Sequence, residues 1–180
     1  MAENNKFKQT ISKHFDNQAM QSNDELMGEF GSSVNDKFLR SPYLYIENFL
    51  EAHSFNSILD YCCGTGIYSI FPAKKGAKVH GIDISEKSIN TANIRASFFK
   101  VNDLCTFEVA DAENIPSTDA SFDLVLSYGS FSYLNMNKAF KDIHRVLYDD
   151  GILIIVDSLG HNLLFNMNRK KNIMNYAPEY

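Results

Sequence analysis

The sequence predicts an α/β fold built on a parallel sheet, on three observations. From residue 57 onward, short apolar runs alternate with longer amphipathic ones, the pattern of successive strand–helix units. The runs "LVL" (Leu124 to Leu126) and "ILIIV" (Ile152 to Val156) are almost continuously apolar, as strands buried on both faces are. The first three strand-sized runs each carry an aspartate at or near the end, at Asp60, Asp83 and Asp111.

Taken in order, residues 1–55 read as a polar-rich helical segment expected to pack on the sheet. Phe7, Ile11 and Phe15 recur at helical spacing and give it one apolar face. Ser41 and Pro42 read as an N-cap and first helical position, starting the helix "YLYIENFLEA". A second unit is expected over 56–180. "SILDYCC" is its first strand and "GIYSIFPAKKG" its first helix, shortened or kinked by Pro72 and closed by Gly76. "KVHGIDI" is the second strand, with Ser85 capping the helix that follows. "CTFEVAD" and "FDLVLSY" are the third and fourth strands. "NKAFKDIHRVL" is a helix leading to a fifth strand in "GILIIVD", whose only charge is Asp157.

Composition narrows the function. A chain of 180 residues, 44% hydrophobic, can bury a core without disulfides or metal staples. The formal net charge of −5 argues against nucleic acid as a partner, because phosphate neutralisation needs clustered Lys and Arg. Three cysteines, two of them adjacent, form no disulfide framework and fit a reducing compartment. The start "MAENNKFKQT" lacks the apolar core of a signal peptide, and no run is long enough to span a bilayer. The expected location is the cytoplasm, with no membrane partner.

The stretch "ILDYCCGTGIYSI", Ile58 to Ile70, admits three readings: a metal or redox site at Cys62 and Cys63, a glycine-rich loop approaching a ligand, or a plain strand–turn–helix corner. One aspartate at a strand end is ordinary turn chemistry. Three, with glycines after the first, form a constellation, because ligands of such sheets bind at the carboxyl ends of the strands. Gly64 and Gly66 let a ligand approach the backbone. Asp83 can accept both hydroxyls of a ribose. Asp111, with the amide of Ala112, can hold an adenine edge. Asp60 discriminates: a carboxylate beside the loop opposes a pyrophosphate and favours a cation. S-adenosylmethionine (SAM) has an ammonium, a sulfonium and no phosphate.

These segments resemble the class I SAM-dependent methyltransferases. "LDYCCGTG" is similar to that family's first motif, "VHGIDIS" to its ribose segment and "FEVADAENIP" to its adenine segment. "FDLVLSYGSFSYL" and "HRVLYDDGILIIVD" resemble its fourth and fifth strands with their approaches. The resemblance implies a Rossmann-like three-layer sandwich with strand order 3-2-1-4-5. It implies SAM as cofactor, with Asp60, Cys62 and Gly64 near the methionine part and Asp83 on the ribose. Ile84, Asp111 and Ala112 would meet the adenine, and the Ser127 carbonyl the ammonium. It implies a small-molecule acceptor methylated at O, N or C.

Cys62 departs from the pattern, standing where the family has a glycine. Cys63 reads as a small buried hydrophobe, and with only Cys105 elsewhere there is no metal-ligand spacing. The family's antiparallel hairpin of sixth and seventh strands is expected to be missing, as if the C-terminus were truncated. "GILIIVD" would then be an apolar edge, hidden under Leu159 to Tyr180 or against another subunit. The catalytic residue stays open, with His161, Tyr128 and Tyr133 as candidates. Two rival readings remain: a SAM-binding module without catalysis, and a nicotinamide-dependent dehydrogenase. The latter conflicts with Asp60 and with Ser69 at the third glycine position of the dinucleotide fingerprint.

Overall fold

The computed structural model describes residues 2–21 and 37–157. The chain runs α1 (Ala2–Gln21), α2 (Lys37–Ala52), β1 (Ser57–Tyr61), α3 (Ile67–Lys74), β2 (Lys78–Asp83), α4 (Glu86–Phe98), β3 (Cys105–Val109), β4 (Phe122–Tyr128), α5 (Met136–Val146) and β5 (Leu147–Val156). A 3-10 turn over Phe131–Tyr133 precedes α5. The strands form one sheet in the order β3-β2-β1-β4-β5, every neighbouring pair parallel. That is the Rossmann-like order the sequence implied.

The side-chain period of two explains the layers. Ile58, Val79, Leu124 and Leu126 point to one face, where α2 (Ile46, Leu50) and α3 (Ile70, Ala73) cover them. Leu59, Tyr61, Ile82 and Val125 point to the other, against Ala139, Ile143 and Val146 of α5. β1 and β4 are central and carry the most continuous burial. Among the described residues no helix is long and apolar enough to cross a membrane.

Local signals settle most of the ends. Ser85 accepts the Ser88 amide at 3.0 Å as the α4 cap, and Gly76 follows α3 with φ 96°. α2 starts at Lys37, one turn before Ser41, so Pro42 sits inside the helix and forfeits one backbone bond. Packing of Ile46 and Leu50 into the core outweighs that local loss. The crossover from β3 to β4 is a loop over 110–121, held by side chains. Arg145 donates to the carbonyls of Ile115 and Ser117 at 2.9 and 2.6 Å, and Asp142 accepts the Ile115 amide.

β5 also departs from expectation. It begins at Leu147, and its register against β4 jumps from Phe122↔Leu147 to Leu124↔Ile152. The residues Tyr148, Asp149 and Asp150, which precede the expected strand "GILIIVD", are a bulge within the strand. The strand therefore carries Asp149 and Asp150 as well as the flanking Asp157. Ile152 and Ile155 are exposed on it. The covering segment Leu159 to Tyr180, and with it the question of a further hairpin, lies outside the described residues.

Gly66 packs the β1–α3 corner. Its φ is 72°, and a Cβ there would lie 2.9 Å from the Ala92 Cβ and 3.1 Å from the Phe107 ring. Gly66→Ala should therefore cost about 1–3 kcal/mol of stability, by crowding and by backbone strain. An unchanged midpoint in chemical denaturation would refute the close-packing account.

Candidate functional site

The sheet order reverses between β1 and β4, and the carboxyl ends of these strands open into a cleft of about 390 Å³. Such a switch point is where open α/β sheets bind ligands, and the volume suits a small organic molecule. Asp60 and Asp83 stand on its floor, Asp111 and Ala112 on one wall, and Tyr128 to Ser130 on the other. The roof is α1: Phe7, Ile11 and Phe15, the apolar stripe of the sequence, face down into the cleft. α1 packs on α4 rather than on a sheet face.

The floor begins with a tight turn after β1. Cys62, Gly64 and Gly66 have φ of 58°, 51° and 72°. Cys62 thus adopts the left-handed conformation that suits the glycine expected there. The turn closes through the Gly66 amide on the Cys63 carbonyl at 2.9 Å. A Cβ on Gly64 would meet no protein atom within 4 Å. Gly64 lines the cleft, so that volume is open to it.

Each carboxylate has defined partners. Asp60 is 3% exposed and accepts the Ser69 hydroxyl at 2.6 Å. Burial pushes its carboxyl up to about 7, against the Ser69 hydrogen bond, with the Asp83 charge adding to the rise. Asp83 accepts the Gly64 amide on one oxygen and the Ser85 amide on the other, both at 2.9 Å. Burial raises its carboxyl too, and those amides oppose the rise. Asp111 accepts the Glu113 amide at 3.0 Å and the Lys8 ammonium at 2.6 Å. Tyr61, fully buried in β1, donates its hydroxyl to the Ala112 carbonyl at 2.7 Å and pins that wall from below.

Of the residues singled out in the sequence, Asp60, Cys62, Gly64, Asp83, Ile84, Asp111 and Ala112 line one cleft, as do Tyr128 and Tyr133. Gly66 lies off its wall, its missing Cβ facing Ala92 and Phe107 instead. Ser127 is buried in β4 with its hydroxyl 2.6 Å from that of Ser130, and Gly129 and Ser130 line the wall in its place. His161 falls outside the described residues. Lys8 and Glu113 were missed. Lys8 directly follows Phe7, and Lys8, Ser12 and Asp16 repeat every four residues beside the apolar stripe, a signal the sequence did carry.

Residues 59–155 match the family model described as a methyltransferase domain. The chain is 29% identical over 135 residues to the sterol 4-C-methyltransferase strm-1 of Caenorhabditis elegans, covering 74% of this chain and 40% of that protein. It is 33% identical over 132 residues to the putative methyltransferase YqeM of Bacillus subtilis, covering 69% and 52%. The chain thus spans about half or less of the length of these curated relatives. In fold it is similar to the geranyl diphosphate C-methyltransferase of Streptomyces coelicolor, solved with Mg2+, geranyl diphosphate and S-adenosyl-L-homocysteine. The TM-score is 0.70 at 16% identity, over 92% of this chain and 72% of that one.

The turn makes a prediction of its own. Cys62→Gly should change stability by less than about 1 kcal/mol, because relief of the left-handed backbone offsets the lost thiol packing. Cys62→Val should cost about 2 kcal/mol or more, since a β-branched side chain resists positive φ. Equal denaturation midpoints for the two variants would contradict the observed conformation.

Proposed function

The chain belongs to the methyltransferase domain family, in its class I SAM-dependent form, and from that premise we propose that it binds SAM in the cleft and methylates a small molecule. The observation that carries the reading is the set of carboxylates Asp60, Asp83 and Asp111 around a glycine turn that leaves ligand space at Gly64. A buried carboxylate at Asp60 calls for a cation, which SAM offers and a dinucleotide pyrophosphate does not. This favours SAM over a nicotinamide cofactor, and a thermal shift with SAM and none with NAD is the expected comparison.

In this reading Asp60 and the backbone of Cys62 and Gly64 face the methionine part. Asp83 has lone pairs left for the ribose hydroxyls after accepting two amides. Ile84, Asp111 and Ala112 take the adenine, and Gly129 with Ser130 flank the ammonium end near Ser127. Bound SAM supplies a methyl group already activated by its sulfonium charge. The chain's own contribution is then placement and exclusion of water, served by the roof residues Phe7, Ile11 and Phe15. Tyr128 and Tyr133 stand beside the acceptor. Among the described residues no histidine lines the cleft. An acceptor that loses its proton easily, or that reacts through carbon, fits this wall best. The net charge of −5 supports a small molecule over nucleic acid, and we place the protein in the cytoplasm. The reading extends to self-association along the β5 edge, where Ile152 and Ile155 are exposed among the described residues.

The raised Asp60 carboxyl gives a signed pH dependence. Below about 7 the group is protonated and offers a cation no charge; above it the carboxylate is ionised. SAM affinity should rise between pH 6 and 8, by at most about tenfold per unit for one linked proton. The fold itself runs the opposite way. The folded carboxyl titrates above its unfolded value, so its contribution to stability is present at low pH and declines as pH rises toward about 7. Calorimetry at several pH values checks the first statement, and Asp60→Asn should flatten the profile and weaken binding at pH 8. A wild-type profile that Asp60→Asn reproduces would remove Asp60 from the site. Asp83→Asn should cost about 1.5–3 kcal/mol of SAM binding, and an unchanged affinity would overturn the ribose assignment.

A further inference from the structure

α1 is joined to the cleft by the polar stripe beside its apolar one. Ser12 donates to the Ile84 carbonyl at 3.1 Å, and Asp16 accepts the Ser85 hydroxyl at 2.6 Å. Lys8 does something different: its ammonium lies between two carboxylates, 2.6 Å from Asp111 and 2.9 Å from Glu113. Glu113 is an anchored partner. Its side chain is 6% exposed, and its other oxygen accepts the Asn135 amide at the start of α5 at 2.8 Å. Asp111 is the looser one, with a side chain 39% exposed at the cleft wall.

We propose that Lys8 is a positioning residue for the cofactor's nucleobase: it ties Asp111 to the fixed Glu113 and so holds the carboxylate that accepts the adenine amino group. The proposal rests on the SAM reading above. Two adjacent carboxylates repel each other. Without a cation between them, Asp111 would keep only the Glu113 amide at 3.0 Å as its tether, on its other oxygen, and would offer the base a more mobile acceptor. Lys138 does not replace Lys8, because it reaches Glu113 only, at 3.4 Å, from an exposed position. Burial works against the Lys8 charge, but its hydrogen bonds to both carboxylates outweigh that and hold the ammonium in its charged form. The tie comes from α1, so one ion pair links the roof of the cleft to the base acceptor.

The test compares S-adenosylhomocysteine with S-inosylhomocysteine, which replaces the amino group by an oxygen. Binding of both is measured by calorimetry to wild type, Lys8→Met and Lys8→Arg, with thermal melts to verify folding. Wild type should prefer the adenosyl ligand. Lys8→Met should bind it about tenfold more weakly and lose most of the preference over the inosyl ligand, while Lys8→Arg should keep both. Equal weakening of the two ligands by Lys8→Met would mean that Lys8 only supports the fold, and an unchanged preference would mean that it does not position the base. If Lys8→Met does not fold, Lys8→Gln is read against the same two ligands with the same criteria. A wild type that binds neither SAM nor S-adenosylhomocysteine would defeat the SAM reading itself, and the proposal with it.

Discussion

The open end of the sheet depends on the Asp83 carboxylate. One of its oxygens holds the Gly64 amide in the turn after β1, and the other holds the Ser85 amide where α4 begins. Two connections that are far apart in the chain are thereby fixed against each other at the floor of the cleft. The left-handed residues Cys62, Gly64 and Gly66 are affordable because this anchor and the Cys63–Ile82 backbone bond at 2.9 Å over-determine the turn. Asp83 is itself deeply buried, so its two amide donors also make its burial tolerable. The same group serves the architecture and lines the cleft, which is why substitution there is read best through binding and stability together.

The cleft concentrates negative charge. Asp60, Asp83, Asp111 and Glu113 all line it, and Lys8 is the cation placed among them. Asp111 and Glu113 share that lysine, and Lys138 adds a second cation 3.4 Å from Glu113; Asp60 and Asp83 respond to burial instead, with carboxyls displaced upward. The site therefore has two electrostatic regimes. At the Asp111 end the charge is already matched by a protein cation. At the Asp60 end it is matched only by Ser69 and by whatever enters, so a cationic ligand gains most there.

The strands and the three strand-end aspartates were legible in the sequence because both depend on local pattern. Strand burial sets apolar runs, and the chain order of the βα units sets which tips meet. The Ser85 cap and Gly76 were legible for the same reason. What was not legible depends on partners distant in sequence. Nothing near Ile115 indicates that Arg145 and Asp142 will hold its backbone across the crossover. Gly66 looked like part of a ligand loop, and only the approach of Ala92 and Phe107 identifies it as a packing position. The apolar face of α1 was evident, but its destination was not, since a helical stripe says that something is covered and not what. Lys8 was overlooked because a lysine in a polar helix ordinarily faces solvent.

The bulge at the start of β5 reaches beyond the register of one strand. It sets Asp149 and Asp150, both exposed, on the first half of the strand that is outermost among the described residues, while Ile152 and Ile155 occupy the second half. A neighbouring sheet sliding along this border would meet a bend and two like charges before it met any apolar surface. Among the described residues, sheet-to-sheet pairing is thereby disfavoured along the first half of the strand. One irregularity in hydrogen bonding thus divides a single strand into a charged half and an apolar half.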